Sequence, residues 1–134
     1  MLAQLGHRPD VLSPELLQTV HAPQVATPYE AKTSPWRRER VREAHYAMAW
    51  RVFDYAGHRV VFHAGAVQGY RAMLALLPDH DVGIAVLWNS EGAVPSGLLP
   101  TFLDRYLGLP PRDWLELSAY RRPTLAATRA GARH

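Results

Sequence analysis

With 134 residues, 48% of them hydrophobic and 20% charged, the chain has the length and balance of one small folded domain and not of a disordered segment. It contains no cysteine, which excludes disulfides, thiolate catalysis and cysteine-based zinc sites. No apolar run approaches the ~20 residues of a membrane span, and Met1–Asp10 lacks the apolar core of a signal peptide. The net charge of +3 is carried almost wholly by arginine, Lys32 being the only lysine. The arginines gather in Trp36–Arg42, which Glu39 interrupts, and in Arg121–Arg133, a stretch rich in Ala, Thr and Gly. Neither reads as the continuous basic face of a recognisable binding module, so a nucleic-acid partner is not expected.

Leu12–Pro23 reads as one short helix: Ser13 suits the N-cap, Pro14 the first helical position, and Leu16, Leu17 and Val20 form an apolar stripe. Gln24–Glu43 is broken by prolines and shows no sustained period, so a long surface loop is expected. Loops of that length either frame a binding site or merely connect. From Tyr46 the chain turns to strands, with Tyr46–Phe53 as one, a turn at Tyr55-Ala56-Gly57, and a second strand over His58–Ala64. Gln68-Gly69 marks a bend before a strand over Tyr70–Leu77, and Pro78–Asp81 a turn before Val82–Trp88. Such short connections make the last strands antiparallel neighbours. Met73–Leu77 and Ile84–Trp88 are apolar without alternation, which calls for cover on both sheet faces. Only one more helix is evident, around Pro100–Leu107, stopped by Gly108 and Pro110. Two helices are too few for both faces, so part of the fold is expected to come from a missing portion or a partner chain.

Seven histidines invite a metal reading, but His58 and His63 fall on opposite faces of one strand and no His-Glu-x-x-His spacing occurs. No metal and no cofactor are therefore expected. A Gly-x-Ser-x-Gly nucleophile elbow is also missing. What stands out is residues 63–89: His63-Ala64-Gly65, then Gly69-Tyr70, Leu76-Leu77-Pro78, the acidic turn Asp79–Asp81, Gly83, and Leu87-Trp88-Asn89. In order and without gaps, this resembles the serine β-lactamase-related hydrolases: class C β-lactamases, penicillin-recognising D,D-peptidases and their esterase relatives. In them a strand at the active site carries Lys-Thr-Gly or His-x-Gly. The resemblance extends over about residues 1–118, including Tyr46-Ala47-Met48-Ala49-Trp50, where the family often has Tyr-Gly-x-Gly-Trp, and the stretch Leu107–Trp114.

The resemblance implies an α/β (α+β) fold, an antiparallel sheet flanked by helices, as in the C-terminal part of the β-lactamase/transpeptidase-like fold. Residues 1–108 would form that portion, and 109–134 a linker or tail leading to a further module. It also implies roles. An acyl-transfer site needs preorganised N–H donors at the developing oxyanion, and the backbone N–H of Ala66 would be one of them. Ala64 and Gly65 would line the substrate, glycine leaving room for close approach. His63 would point into the site, to hold a substrate carboxylate or tune the proton relay. A strand histidine bonded to a neighbouring loop is the other reading of His63, and the surrounding pattern favours the site. Gly69 and Tyr70 read as a bend followed by a core aromatic, and Asn89 as a cap on the strand end.

The family's nucleophile is missing from these residues. None of Ser13, Ser34, Ser90, Ser96 and Ser118 has lysine three positions on, and Asn89, the only asparagine, follows Leu87 in place of the Tyr or Ser of the second motif. Both motifs precede the strand motif in the family, so a truncated chain is expected. The intact protein would be a periplasmic or secreted hydrolase acting on a small-molecule or peptidoglycan-like substrate: a β-lactam, a D-Ala peptide or an ester. The alternative is a non-catalytic subunit whose sheet docks another chain.

Overall fold

The computed structural model describes residues 1–117, so the basic stretch Arg121–Arg133 lies outside the described residues. Six strands form one sheet in sequential order, every neighbouring pair antiparallel: β1 (Val25–Ala26), β2 (Val41–Tyr46), β3 (Arg51–Tyr55), β4 (His58–Val67), β5 (Tyr70–Leu77) and β6 (Val82–Trp88). The helices are α1 (Pro14–His21), α2 (Pro35–Arg40) and α3 (Leu98–Tyr106). The expected class, an antiparallel sheet flanked by helices, is the fold observed.

Local chemistry explains the ends of these elements. The Ser13 hydroxyl accepts the Leu16 N–H at 3.2 Å and so caps α1 as the sequence suggests. Pro100 lies within the first turn of α3, where the N–H it lacks would have no helical partner. Gly108, in the left-handed conformation at φ 67°, stops the same helix. The β3–β4 hairpin turns through Ala56 and Gly57, both at positive φ (51° and 92°), the arrangement that matches strand twist in a two-residue turn.

Three expectations are corrected. Gln24–Glu43 is not one loop: it holds β1, α2 and the start of β2. Six residues are too few for a helical period to show, and α2 is held by Trp36, which packs on Phe53, Tyr55 and Phe62. Tyr46–Phe53 is not one strand, because the chain reverses between Tyr46 and Arg51 with Ala49 at φ 63° and the Ala47 N–H bonded to the Trp50 carbonyl. Finally, β4 does not end at Ala64 but runs on to Val67.

The two sheet faces are unequally covered. On one, Phe53, Tyr55, Val60, Phe62, Met73, Ala75 and Leu77 form the main core beneath Trp36 of α2 and Leu99 and Leu103 of α3. On the other, Ala47, Val52, Val61 and Leu76 form a smaller core under Leu5 and Trp50. Beyond that small core this second face is bare: Val67, Tyr70 and Leu87 are 69%, 64% and 76% exposed. Tyr70 is thus not the core aromatic expected. The apolar sequence of β5 and β6 registers a demand for cover, which the described residues meet on one face and only in part on the other.

The covered face is locked by a buried carboxylate. Asp104 of α3, 2% exposed, accepts two hydrogen bonds from the Arg40 guanidinium at 3.0 Å, the Tyr55 hydroxyl at 2.7 Å and the Trp114 indole N–H at 2.8 Å. Burial works to raise its pKa, but the donors from Arg40, Tyr55 and Trp114 outweigh it and leave the carboxyl below its ordinary value. Because Trp114 takes part, the segment after Gly108 stays on the domain, with Leu109 also against the core.

Two stability changes follow. Asp104→Ala removes the carboxylate shared by Arg40, Tyr55 and Trp114, leaving the buried Arg40 only Glu39 and the Pro110 carbonyl, and should cost about 3 kcal/mol, read as a drop in the denaturant midpoint; an unchanged midpoint would refute the clasp. Ala56→Asn creates the Asn-Gly pair preferred at this turn and should raise stability by about 0.5–1 kcal/mol.

Candidate active site

The site begins with a mismatch in strand length. β4 has ten residues and β3 five, so their pairing runs only from Tyr55↔His58 to Arg51↔Phe62. From His63 to Val67 the strand keeps β5 on one side, in register from His63↔Leu74 to Val67↔Tyr70, and has no strand on the other among the described residues. In antiparallel pairing the backbone groups of alternate residues face alternate neighbours. The two-residue hairpin makes His58, Val60 and Phe62 the residues that bond to β3. Ala64 and Ala66 come next in that series, so their N–H and C=O groups face the empty side. The sheet thus ends, at the expected motif, in a free backbone edge.

Side chains alternate across the same stretch. His63, Gly65 and Val67 lie on the bare face, and Ala64 and Ala66 on the face covered by helices. His63 is half-buried and makes no side-chain hydrogen bond among the described residues, so no described loop holds it. Gly65 is exposed, and a Cβ built there would meet nothing within 4 Å. The motif residues are therefore together on one edge, while their side chains serve two different faces.

Cavities open on both faces. On the bare face one of about 520 Å³ is lined largely by apolar groups, including Gly65, Val67, Tyr70 and Leu87. Asn89 lies in its wall and makes no side-chain hydrogen bond among the described residues, so it does not cap the strand end as expected. On the covered face one of about 400 Å³ runs between Ala64, Ala66 and Arg71 of the sheet and Ser34 and Arg37. No group of three or more His, Asp or Glu side chains that could hold a metal occurs among the described residues.

Two charged groups support the edge, and the sequence did not single them out. Glu30, 6% exposed, receives Arg37 at 2.6 Å and Arg51 at 3.0 Å, while the Arg37 guanidinium sits 5.1–5.4 Å from the ring centres of Trp36, Phe53 and Phe62. The arginine cluster Trp36–Arg42 is therefore not simply a solvated loop; Arg37 and Arg40 are packed. The one available signal was its place beside Trp36. Glu91, beyond β6, accepts the Gly69 N–H at 2.6 Å and Arg71 at 2.7 Å, tying the β6 exit to the β4–β5 hairpin.

The beta-lactamase family model matches residues 2–107. This chain belongs to that family, the serine β-lactamase-related hydrolases. It is 30% identical over 105 residues to the unguisins hydrolase ungD' of Aspergillus campestris (strain IBT 28561), an alignment covering 78% of this chain and 18% of that protein. In fold it is similar to the octameric penicillin-binding protein homologue from Pyrococcus abyssi, with a TM-score of 0.67 and 23% identity over 82% of this chain and 23% of that one. The chain thus spans about a fifth of the length of these relatives.

The Glu91 tie yields a pH test. The Gly69 amide and then Arg71 hold its carboxyl below the usual glutamate value. The tie is therefore fully present above the ordinary glutamate pKa and lost as pH falls through the lower, folded value. The Gly69 amide proton shift should titrate with an inflection below that of an unperturbed glutamate, and Glu91→Gln should remove the inflection. Titration at the ordinary value would mean the contact is not held in solution.

Proposed function

We propose that the outer half of β4 is one wall of a serine acyl-transfer site, with the backbone N–H of Ala66 as one oxyanion donor. The observation that carries this reading is the free edge itself: Ala64 and Ala66 face an unpaired side, next to a glycine with open space around it. A donor fixed in a sheet cannot reorganise as charge develops on the substrate, which is what makes it effective. An extended substrate would pair with Ala64 and Ala66 as an added strand, passing close over Gly65. His63 would hold a substrate carboxylate or tune the proton relay. The substrate would be a β-lactam, a D-Ala peptide or an ester.

The attacking serine would come from polypeptide outside these residues, seated against the bare face of β4–β6. The reaction would run through an acyl-enzyme on that serine. Family membership supports the chemistry, and the exposed Val67, Tyr70 and Leu87 support the docking. The same exposure favours a second reading, a non-catalytic subunit that uses this face to bind another chain.

The test is to read the upstream DNA in frame for Ser-x-x-Lys and to assay the resulting protein, or the chain with its copurifying partner, against a fluorescent penicillin and an aryl ester. Acylation at the serine is expected. Gly65→Val should lower kcat/KM by about 10²-fold, since it displaces the substrate from its donors, while the unfolding midpoint does not fall. Ester turnover without penicillin labelling would exclude the β-lactam reading alone. A stable complex without acylation would refute the enzyme and support the binding subunit.

A further inference from the structure

The cavity on the covered face, across the sheet from His63, has an unbalanced lining. Arg37 and Arg71 line it, along with Ser34 and Ser96, and no carboxylate does. Around it, Glu30 is shared by two arginines, Arg37 and Arg51, and Glu91 engages Arg71. Three cations thus face two carboxylates. Nor are the donors used up: the buried Arg37 Nε, Arg71 Nε and Ser34 Oγ have no hydrogen-bond partner among the described residues. The side chain of Arg37 is only 15% exposed, and the aromatic rings around it attract the cation without supplying an in-plane acceptor. A cation so far from water, with surplus charge and a spare N–H, is stabilised by an anion that brings both negative charge and acceptor oxygens.

We propose that this cavity binds a small oxyanion, held by the Arg37 guanidinium and the Ser34 hydroxyl with Arg71 across from them. Its volume of about 400 Å³ suits a compact ligand. A carboxylate and a phosphate share the chemistry that would be recognised, and both fit the planar fork of a guanidinium. The cavity also touches Ala64, Gly65 and Ala66 of the proposed substrate wall, but anion binding needs no nucleophile and can be measured without any acyl transfer.

The experiment is a titration of the full chain with sodium acetate, and separately with inorganic phosphate, against sodium chloride at constant ionic strength. Binding is read from the arginine Nε–H resonances. A saturable shift of the Arg37 resonance with acetate or phosphate and not with chloride is expected, and the tighter of the two identifies the anion. Ser34→Ala should weaken binding about tenfold, the effect of losing one hydrogen bond to a charged group. Arg37→Met should abolish it. An identical response to chloride would overturn the site, because it would mean screening alone. Should Arg37→Met fail to fold, Ser34→Ala decides by itself: unchanged affinity there overturns the proposal.

Discussion

The five-residue excess of β4 over β3 is the constraint on which the candidate site depends. It is set from both ends of β3. At one end the reversal through Ala47–Trp50 delays the strand until Arg51, and at the other the Ala56-Gly57 turn fixes the pairing at Tyr55↔His58. Moving the turn by one residue would shift the β3–β4 register and change which β4 groups are bonded, while moving the reversal would lengthen or shorten the overhang. On the far side, continuous register from Val61↔Leu76 to Val67↔Tyr70 holds the overhang straight, so the edge is unpaired without being loose.

An overhanging strand is ordinarily a hazard, since free N–H and C=O groups invite pairing with other chains. Here the overhang is stiffened from one face only. Asp104 fastens α3 to α2 and β3 through Arg40 and Tyr55, while Glu30 joins α2 to β3 through Arg37 and Arg51. Both carboxylates are buried and multiply bonded, the condition under which a buried charge is tolerated. On the other face the described residues supply only the small core under Trp50 and Leu5, with His21 against Trp50 and Met1 over Gly83. That asymmetry leaves the His63 and Gly65 side of the edge accessible.

The sequence disclosed those parts of the fold whose causes are local. The bounds of β5 and β6 follow from apolar runs between turn residues, the start of α1 from Ser13 and Pro14, and the end of α3 from Gly108. It concealed α2, because six residues give no period and the forces that hold the helix, the Trp36 packing and the Arg40–Asp104 pair, span up to 64 positions of chain. The reversal after Tyr46 was hidden for another reason: alanine stands at Ala49 in a backbone conformation that favours glycine, so the usual turn signal is missing. Exposure of Tyr70 and Leu87 was hidden because an apolar strand announces that it needs cover, not what supplies it.

The same distinction bears on the motif. Glycine is kept in a chain when the backbone needs a left-handed conformation or when another atom stands where Cβ would be. Gly97 meets the second condition from inside the chain, since a Cβ there would lie 2.2 Å from the Trp114 carbonyl oxygen. Gly65 meets neither: among the described glycines it alone has an ordinary φ and no neighbour within 4 Å of a built Cβ. In mid-strand, glycine also forgoes the packing and conformational restriction that a side chain would bring. Nothing within the described residues therefore accounts for it. An approach from outside, over a strand edge whose neighbouring backbone donors are free, is the demand that the extended acyl substrate proposed above would make on this wall.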